Sequence, residues 1–375
     1  MVERRTFLTG LATVGAATLL GCGGRGDDGK STPRTSATPP AETPDTPSAA
    51  VPTSTSPRVA ATVASGLNVP WGIAFLANGD ALVSQRDEGT VVRISTEGKV
   101  TTLGEVGGVV GGTPGGEGGL LGIALAPGDE STLFAYITAA SDNRVVRMRL
   151  SDNGLGKPVA ILPGIPTSLH HHGGRLLFDA QGRLYVSTGD AEQSELAQDK
   201  GSFAGKIMRI TQDGAAATGN PFDNRTWSYG HRNIEGLAFD ARGRLWATEF
   251  GDKKSDELNL IAAGGNYGWP NVEGRSGAAG YLDPKAVWQT DECSPSGLAI
   301  TRSTAFVGAL QGECVFAVPL KAERAGTPKA YFAGDEGRIR SVTTAPDGAL
   351  WVTTSNTDGR RAPGKDDDRI LRVTL

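Results

Sequence analysis

Short apolar runs recur down the chain, paired two by two across a tight polar turn that ends in Gly. Trp71-Gly72-Ile73-Ala74-Phe75 leads through Asn78-Gly79 to Ala81-Leu82-Val83-Ser84. Leu176-Leu177-Phe178 leads through Gln181-Gly182 to Leu184-Tyr185-Val186-Ser187. The phrase returns at Gly236-Leu237-Ala238-Phe239 with Leu245-Trp246-Ala247-Thr248, and at Ser341-Val342-Thr343 with Leu350-Trp351-Val352-Thr353. Weaker copies begin at Gly119-Leu120-Leu121-Gly122-Ile123 and Ser296-Gly297-Leu298-Ala299-Ile300. Each copy predicts a hairpin, because a turn Gly supplies the positive φ such a connection demands. Six copies at a spacing of roughly 45–60 residues predict radially repeated sheets. The expected fold is all-β, a six-bladed β-propeller of four-stranded antiparallel blades. Loops from distant parts of such a chain meet around one axis.

The pattern breaks down before about residue 58. Glu3-Arg4-Arg5-Thr6-Phe7-Leu8 resembles a twin-arginine export signal, and the run from Leu11 to Leu20 is apolar but short and rich in small residues. That run is too short to remain as a membrane span. It ends in Leu19-Leu20-Gly21-Cys22, which resembles the site where bacterial lipoproteins are cleaved and acylated. A buried N-terminal helix with an incidental cysteine is the alternative. Residues 23–57 are dominated by Thr, Ser, Pro and Ala, a composition with too little apolar surface to offset chain entropy, and read as a disordered tether. Residues 58–375 are then one propeller domain, and the expected location is the outer face of the cytoplasmic membrane, anchored through Cys22.

Charge and cysteine content narrow the partners. Lys and Arg number 37 against 41 Asp and Glu, with no basic patch, so nucleic acid is excluded as a partner. Beyond Cys22 only Cys293 and Cys314 remain. An even pair in an exported chain favours a disulfide, with two buried free thiols as the alternative.

The four histidines fall in two clusters, His170-His171-His172 and His231, both in loops leading into a repeat. Three adjacent histidines on a strand would point alternately to opposite sides, so one of them reaching a central cavity is the expectation. Glu117 lies in a Gly-rich loop, Asp190 closes the hairpin after the histidines, and Gly251-Asp252 with Asp256-Glu257 offers hard oxygen donors suited to calcium. Arg338 and Arg340, two apart, could clamp a polycarboxylate.

Four segments together carry a family resemblance. They are Gly116-Glu117-Gly118-Gly119-Leu120-Leu121-Gly122, His171-His172-Gly173-Gly174-Arg175-Leu176, Tyr229-Gly230-His231-Arg232-Asn233, and Asp256-Glu257-Leu258-Asn259-Leu260-Ile261 with Gly265-Asn266-Tyr267-Gly268-Trp269-Pro270. From about Ala60 to Leu375 the chain resembles the soluble quinoprotein glucose/sorbosone dehydrogenases, particularly their bacterial aldose sugar dehydrogenase branch. The resemblance implies oxidation of the C1 hydroxyl of aldoses to lactones with pyrroloquinoline quinone (PQQ) and Ca2+, and a quinone or small redox protein as electron acceptor. It implies His171 as general base, oriented by Asp190, with Glu117 near the reacting hydroxyl and Arg232 beside the quinone oxygen. Arg232, Asn233, Gln311, Arg338 and Arg340 fall at cofactor positions, and Gly251, Asp252, Glu257 and Tyr267 at calcium positions.

The chain also departs from that pattern. Gln311 stands where the family commonly has Lys, which removes a positive charge from an anionic ligand's pocket. Asp252 replaces a Pro, and Gly274-Arg275-Ser276-Gly277 replaces acidic residues beyond the Tyr-Gly-Trp-Pro run. Two other readings follow from these departures and from the fold: a non-catalytic binding lipoprotein whose cofactor site has decayed, and a metal-dependent lactonase.

Overall fold

The structure is a computed structural model that describes residues 56–375. The twin-arginine segment, Cys22 and the tether up to residue 55 lie outside the described residues. Six antiparallel sheets follow one another, each opened by one of the repeated hairpins. Their first strands are Pro70–Phe75, Leu120–Leu125, Gly173–Phe178, Ile234–Phe239, Pro295–Thr301 and Ile339–Thr344. Each is the innermost strand of its blade and packs on the innermost strands of both neighbouring blades, so the six close into a ring. This is the six-bladed propeller that the repeats predict. Blades 2 and 5 carry an added two-residue strand, Gly154–Leu155 and Arg324–Ala325. Blade 6 takes its outermost strand, Arg58–Ala64, from the beginning of the described chain, paired antiparallel with Ile370–Thr374.

The turn chemistry explains the spacing of the repeats. Asp179 accepts the backbone N–H groups of Gln181 and Arg183 and pairs with the Arg183 guanidinium at 2.6 Å. Asp240 does the same with Arg242 and Arg244, and also accepts the Trp246 indole N–H. One carboxylate thus caps two donors of the turn and fixes the side chain that begins the next strand.

A second device is repeated on the inner strands. Every innermost strand is irregular at the same place, with a register shift two or three residues before its pairing with the second strand becomes regular. Four blades place Gly there. A Cβ on Gly122 would lie 2.3 Å from the Gly174 carbonyl oxygen of blade 3, and one on Gly236 would lie 2.4 Å from the Ser296 oxygen of blade 5. The bulged N–H finds a hydroxyl from the second strand. Gly72 N donates to Ser84 Oγ, which donates on to Leu121 O in blade 2. Arg175 N, Ser187 Oγ and Ile234 O repeat the relay between blades 3 and 4.

Large side chains fill the space between blades. Phe134 and Phe178 meet edge to face at 5.0 Å, and Phe75 of blade 1 meets Trp351 of blade 6 in the same way at 5.0 Å. Cys293 and Cys314 lie in one such core with Trp246 and Trp288, and both are free thiols. The expected disulfide is therefore absent: the two act as small apolar fillers, and burial pushes the Cys314 thiol up to about 12 and raises that of Cys293 well above its ordinary value.

Candidate active site

In an antiparallel blade the start of the first strand, the end of the second and the start of the third all lie at one end. Glu117, His171, Arg232 and Arg338 immediately precede inner strands, while Asp190, Gly251, Asp252 and Gln311 immediately follow second strands. Asn233 and Arg340 stand at inner-strand starts, and Glu257 is the second residue of the third strand of blade 4, Asp256–Ile261. All of them therefore face the same mouth of the ring.

At its centre stands His171. The three histidines form the loop before Gly173, as their place ahead of a repeat predicts, without the regular alternation of a strand, and His171 adopts a left-handed φ of 59°. The consequence for the side chains is the same, because each finds a different partner. His170 Nδ1 lies 3.1 Å from Glu192, and buried His172 lies 3.0 Å from Asn143 Oδ1. His171 Nδ1 lies 2.7 Å from Asp190 Oδ1. An ionised carboxylate only accepts, so Nδ1 carries the hydrogen and Nε2 is left with its lone pair. Among the described residues Nε2 has no hydrogen-bond partner.

Asp190 is itself held. It is 1 % exposed, its Oδ1 accepts the Glu192 N–H and its Oδ2 accepts the Trp269 indole N–H at 2.8 Å. Glu117 supports the base from the other side: Oε2 accepts the His171 N–H at 3.0 Å, and Oε1 pairs with Arg360 at 3.2 Å. Burial raises its pKa, but that hydrogen bond and the charges of Arg360, His171 and Arg340 together hold it below the usual value, so it stays ionised.

The two predicted clamp arginines are both buried and both paired. Arg338 Nε donates to Asp358 Oδ2 at 3.1 Å. Arg340 lies 3.0 Å from Glu235 Oε2, 3.7 Å from Asp358 and 3.1 Å from Ser355 Oγ. Gln311 is exposed, and its side chain makes no hydrogen bond among the described residues. Arg232 reaches Asp252 at 3.3 Å and lies over the Trp269 ring at 5.5 Å. Its Nε is buried without a partner, as are Asn233 Nδ2 and Arg86 Nη1. Asn233 Oδ1 accepts the Gly173 N–H, tying the blade 4 loop to the histidine loop.

The predicted calcium residues lie on blade 4. Glu257 and Glu249 are buried side by side, and Asn259 Nδ2 bridges them at 2.9 and 3.2 Å while its Oδ1 has no partner. Burial, reinforced by the Glu249 charge, raises the Glu257 pKa. Tyr267 does not present its hydroxyl: it donates to Leu260 O, accepts from Ala262 N, and its ring stacks on His231 at 4.6 Å. Glu273 Oε1 accepts four successive N–H groups, from Asp252 to Ser255, and so shapes the Gly251–Asp252 loop. Among the described residues no three His, Cys, Asp or Glu side chains converge on one point.

Glu249, Asn259, Glu273, Asp358, Arg360 and Arg86 were not singled out by sequence. The isolated Glu249 carried no signal beyond a strand-end position, whereas Asp358 and Arg360 sit in a polar Gly-containing loop directly after the sixth repeat, where the other blades already place site residues.

A six-bladed ring thus carries, at one mouth, a carboxylate-held imidazole and guanidinium donors without partners among the described residues. Residues 67–371 match the profile described as Glucose / Sorbosone dehydrogenase, so the chain belongs to the glucose/sorbosone dehydrogenase family. It is similar to the PQQ-bound aldose sugar dehydrogenase of Streptomyces coelicolor, with 48% identity, a TM-score of 0.82, and 85% of this chain and 97% of that one covered. A glucose dehydrogenase-type oxidoreductase of Thermus thermophilus is 40% identical with a TM-score of 0.79, covering 85% and 100% of the two chains. The aldose sugar dehydrogenase YliI of Escherichia coli is 32% identical over 336 residues, 78% of this chain and 89% of that one. Family membership makes this chain a sugar dehydrogenase-type oxidoreductase.

Proposed function

We propose that the chain oxidises the C1 hydroxyl of aldose sugars to lactones, using PQQ and calcium, with His171 as general base. The observation that supports this most is the 2.7 Å His171–Asp190 contact, which leaves Nε2 basic and unpartnered at the mouth. His171 Nε2 takes the proton of the sugar hydroxyl, Asp190 stabilises the imidazolium that forms, and Glu117 fixes the backbone from which the ring projects. Bound, the quinone supplies a two-electron acceptor for the hydride that leaves C1. The residues fit such a group: buried donors without acceptors at Arg232 Nε and Asn233 Nδ2 suit an oxygen-rich anion, with Arg338 and Arg340 close by. They fit calcium as well. The Gly251 and Asp252 carbonyls accept no hydrogen bond among the described residues, and Glu249 and Glu257 offer buried carboxylates on the same blade, with His231 Nδ1 2.9 Å from Glu249.

Titration of the purified protein with PQQ and calcium, followed by dye reduction with a panel of aldoses, tests the proposal. Saturable binding and sugar-dependent reduction are expected, with reduction falling about 10²–10⁴-fold in His171→Ala. Absence of binding at micromolar PQQ in the presence of calcium overturns it.

The same reading places the enzyme outside the cell, lipid-anchored through Cys22 to the outer face of the cytoplasmic membrane and passing electrons to a quinone or small redox protein. Fractionation of cells producing Cys22→Ser should move the protein from membrane to soluble fractions. A variant that stays with the membrane rules the anchor out.

A further inference from the structure

Blade 1 contributes a residue to the mouth that the known pattern of the site does not include. Arg86 follows the second strand of its blade, Ala81–Gln85, just as Asp190, Gly251 and Gln311 follow theirs. It is 3 % exposed. Nε is used by Asp87 at 2.6 Å, but Nη1 is buried and has no partner among the described residues. The chain makes room for it: a Cβ on Gly119, two residues beyond Glu117, would lie 2.9 Å from Arg86 Cγ and 2.2 Å from its carbonyl oxygen. The Arg86 charge is also felt by Arg340, which burial together with Arg86 and Arg338 pulls below the ordinary guanidinium range against the opposing Glu235 and Asp358.

Two like charges buried near one another, one with an idle N–H, are costly unless an anion completes them. Arg338 and Arg340 already have Asp358 and Glu235. Asp87 answers Nε only, so Arg86 is the guanidinium of this group with a buried donor still to place. We propose that Arg86 is a third guanidinium of the anion clamp and donates directly to an acidic group of the bound quinone cofactor, replacing the positive charge that Gln311 lacks.

This inference rests on the proposed function and deepens it. It explains how a chain with neutral Gln311 keeps a site for a polyanion: the compensating charge comes from blade 1 instead of blade 5.

The test uses the purified protein without cofactor, in wild-type, Arg86→Gln and Arg86→Lys forms. Affinity for PQQ in calcium is read by absorbance, affinity for the redox-inert benzene-1,3,5-tricarboxylate by calorimetry, and thermal stability without ligand by circular dichroism. Arg86→Gln should weaken PQQ at least tenfold and weaken the tricarboxylate in parallel, while Arg86→Lys stays within about threefold of wild type. The unliganded Arg86→Gln protein should melt no lower than wild type, because a buried, incompletely paired charge has been removed. If wild type binds PQQ and Arg86→Gln binds it equally well, the inference falls and the proposed function stands. If wild type binds no PQQ, both fall. A large drop in the melting temperature of unliganded Arg86→Gln assigns the residue to scaffolding and overturns the inference.

Discussion

In the proposed reaction Asp190 is the side chain on which the chemistry turns, because its contact decides which imidazole nitrogen of His171 is left free. Its two oxygens are divided between His171 and Trp269, so the ring cannot rotate without breaking a buried contact. Asp190→Asn keeps the shape but can present an N–H to Nδ1, which favours the wrong tautomer. We expect kcat to fall by about 10²-fold or more, with PQQ affinity unchanged; steady-state dye reduction beside a binding titration checks both. At this scale the sequence was legible wherever a residue sat in a compact motif. His171, Arg232 and Asn233 were singled out because they stand in compact motifs, and the structure places all three at one end of the ring. Arg86, Glu249 and Asp358 were not, since their meaning comes from residues of other blades or strands that only folding brings near. Lys206 belongs to the same class: it is wholly buried, with its ammonium donating to the carbonyls of Leu196, Ala197 and Ala204, and so pins the loop that follows Asp190. Nothing in its neighbours marks that role.

The hairpin repeat was readable for the element, and its Gly and Ser/Thr positions prove to be a joint between blades. Ser84, Ser187, Thr248 and Thr353 close their copies of the phrase, and each lies at the bulge of the strand beside it. Ser84 takes up the bulged Gly72 N–H and reaches across to blade 2. Ser84→Ala should therefore cost about 2 kcal/mol, the cost of leaving a buried donor unmet. Chemical denaturation reads this, and a loss below about 0.5 kcal/mol would show that the relay is dispensable. The position was visible in the sequence, but its purpose was not, because a hydroxyl that mends a bulge and one that faces water look alike in a string of letters. The histidine loop is a related case: a loop ahead of the repeat was legible, but not the left-handed His171 that turns it.

For the molecule as a whole, the repeat count settled the ring but not how it is fastened. Fastening needs residues 58–64 beside 370–374, a pairing between the two ends of the described chain with no local signature. Nor did it show what fills the axis. At the level of the inner-strand bulges, where four blades place Gly and blade 6 places Ser341, blade 3 places Arg175. Its guanidinium lies 4.1 Å over Trp71, donates to the Glu235 carbonyl at 2.7 Å and reaches Ser341 Oγ at 3.1 Å, so that one side chain touches three other blades. The far side of this crossbar is a separate hollow lined by Ile73, Leu237, Leu298 and Val342. The axle is thus a cup with a floor. On the proposed function, sugar, lactone and electron acceptor would share this one mouth and use it by turns. Initial-rate plots against sugar at several acceptor concentrations should give parallel lines, and excess sugar should slow turnover by standing in the acceptor's way; intersecting lines would mean that both can be inside at once.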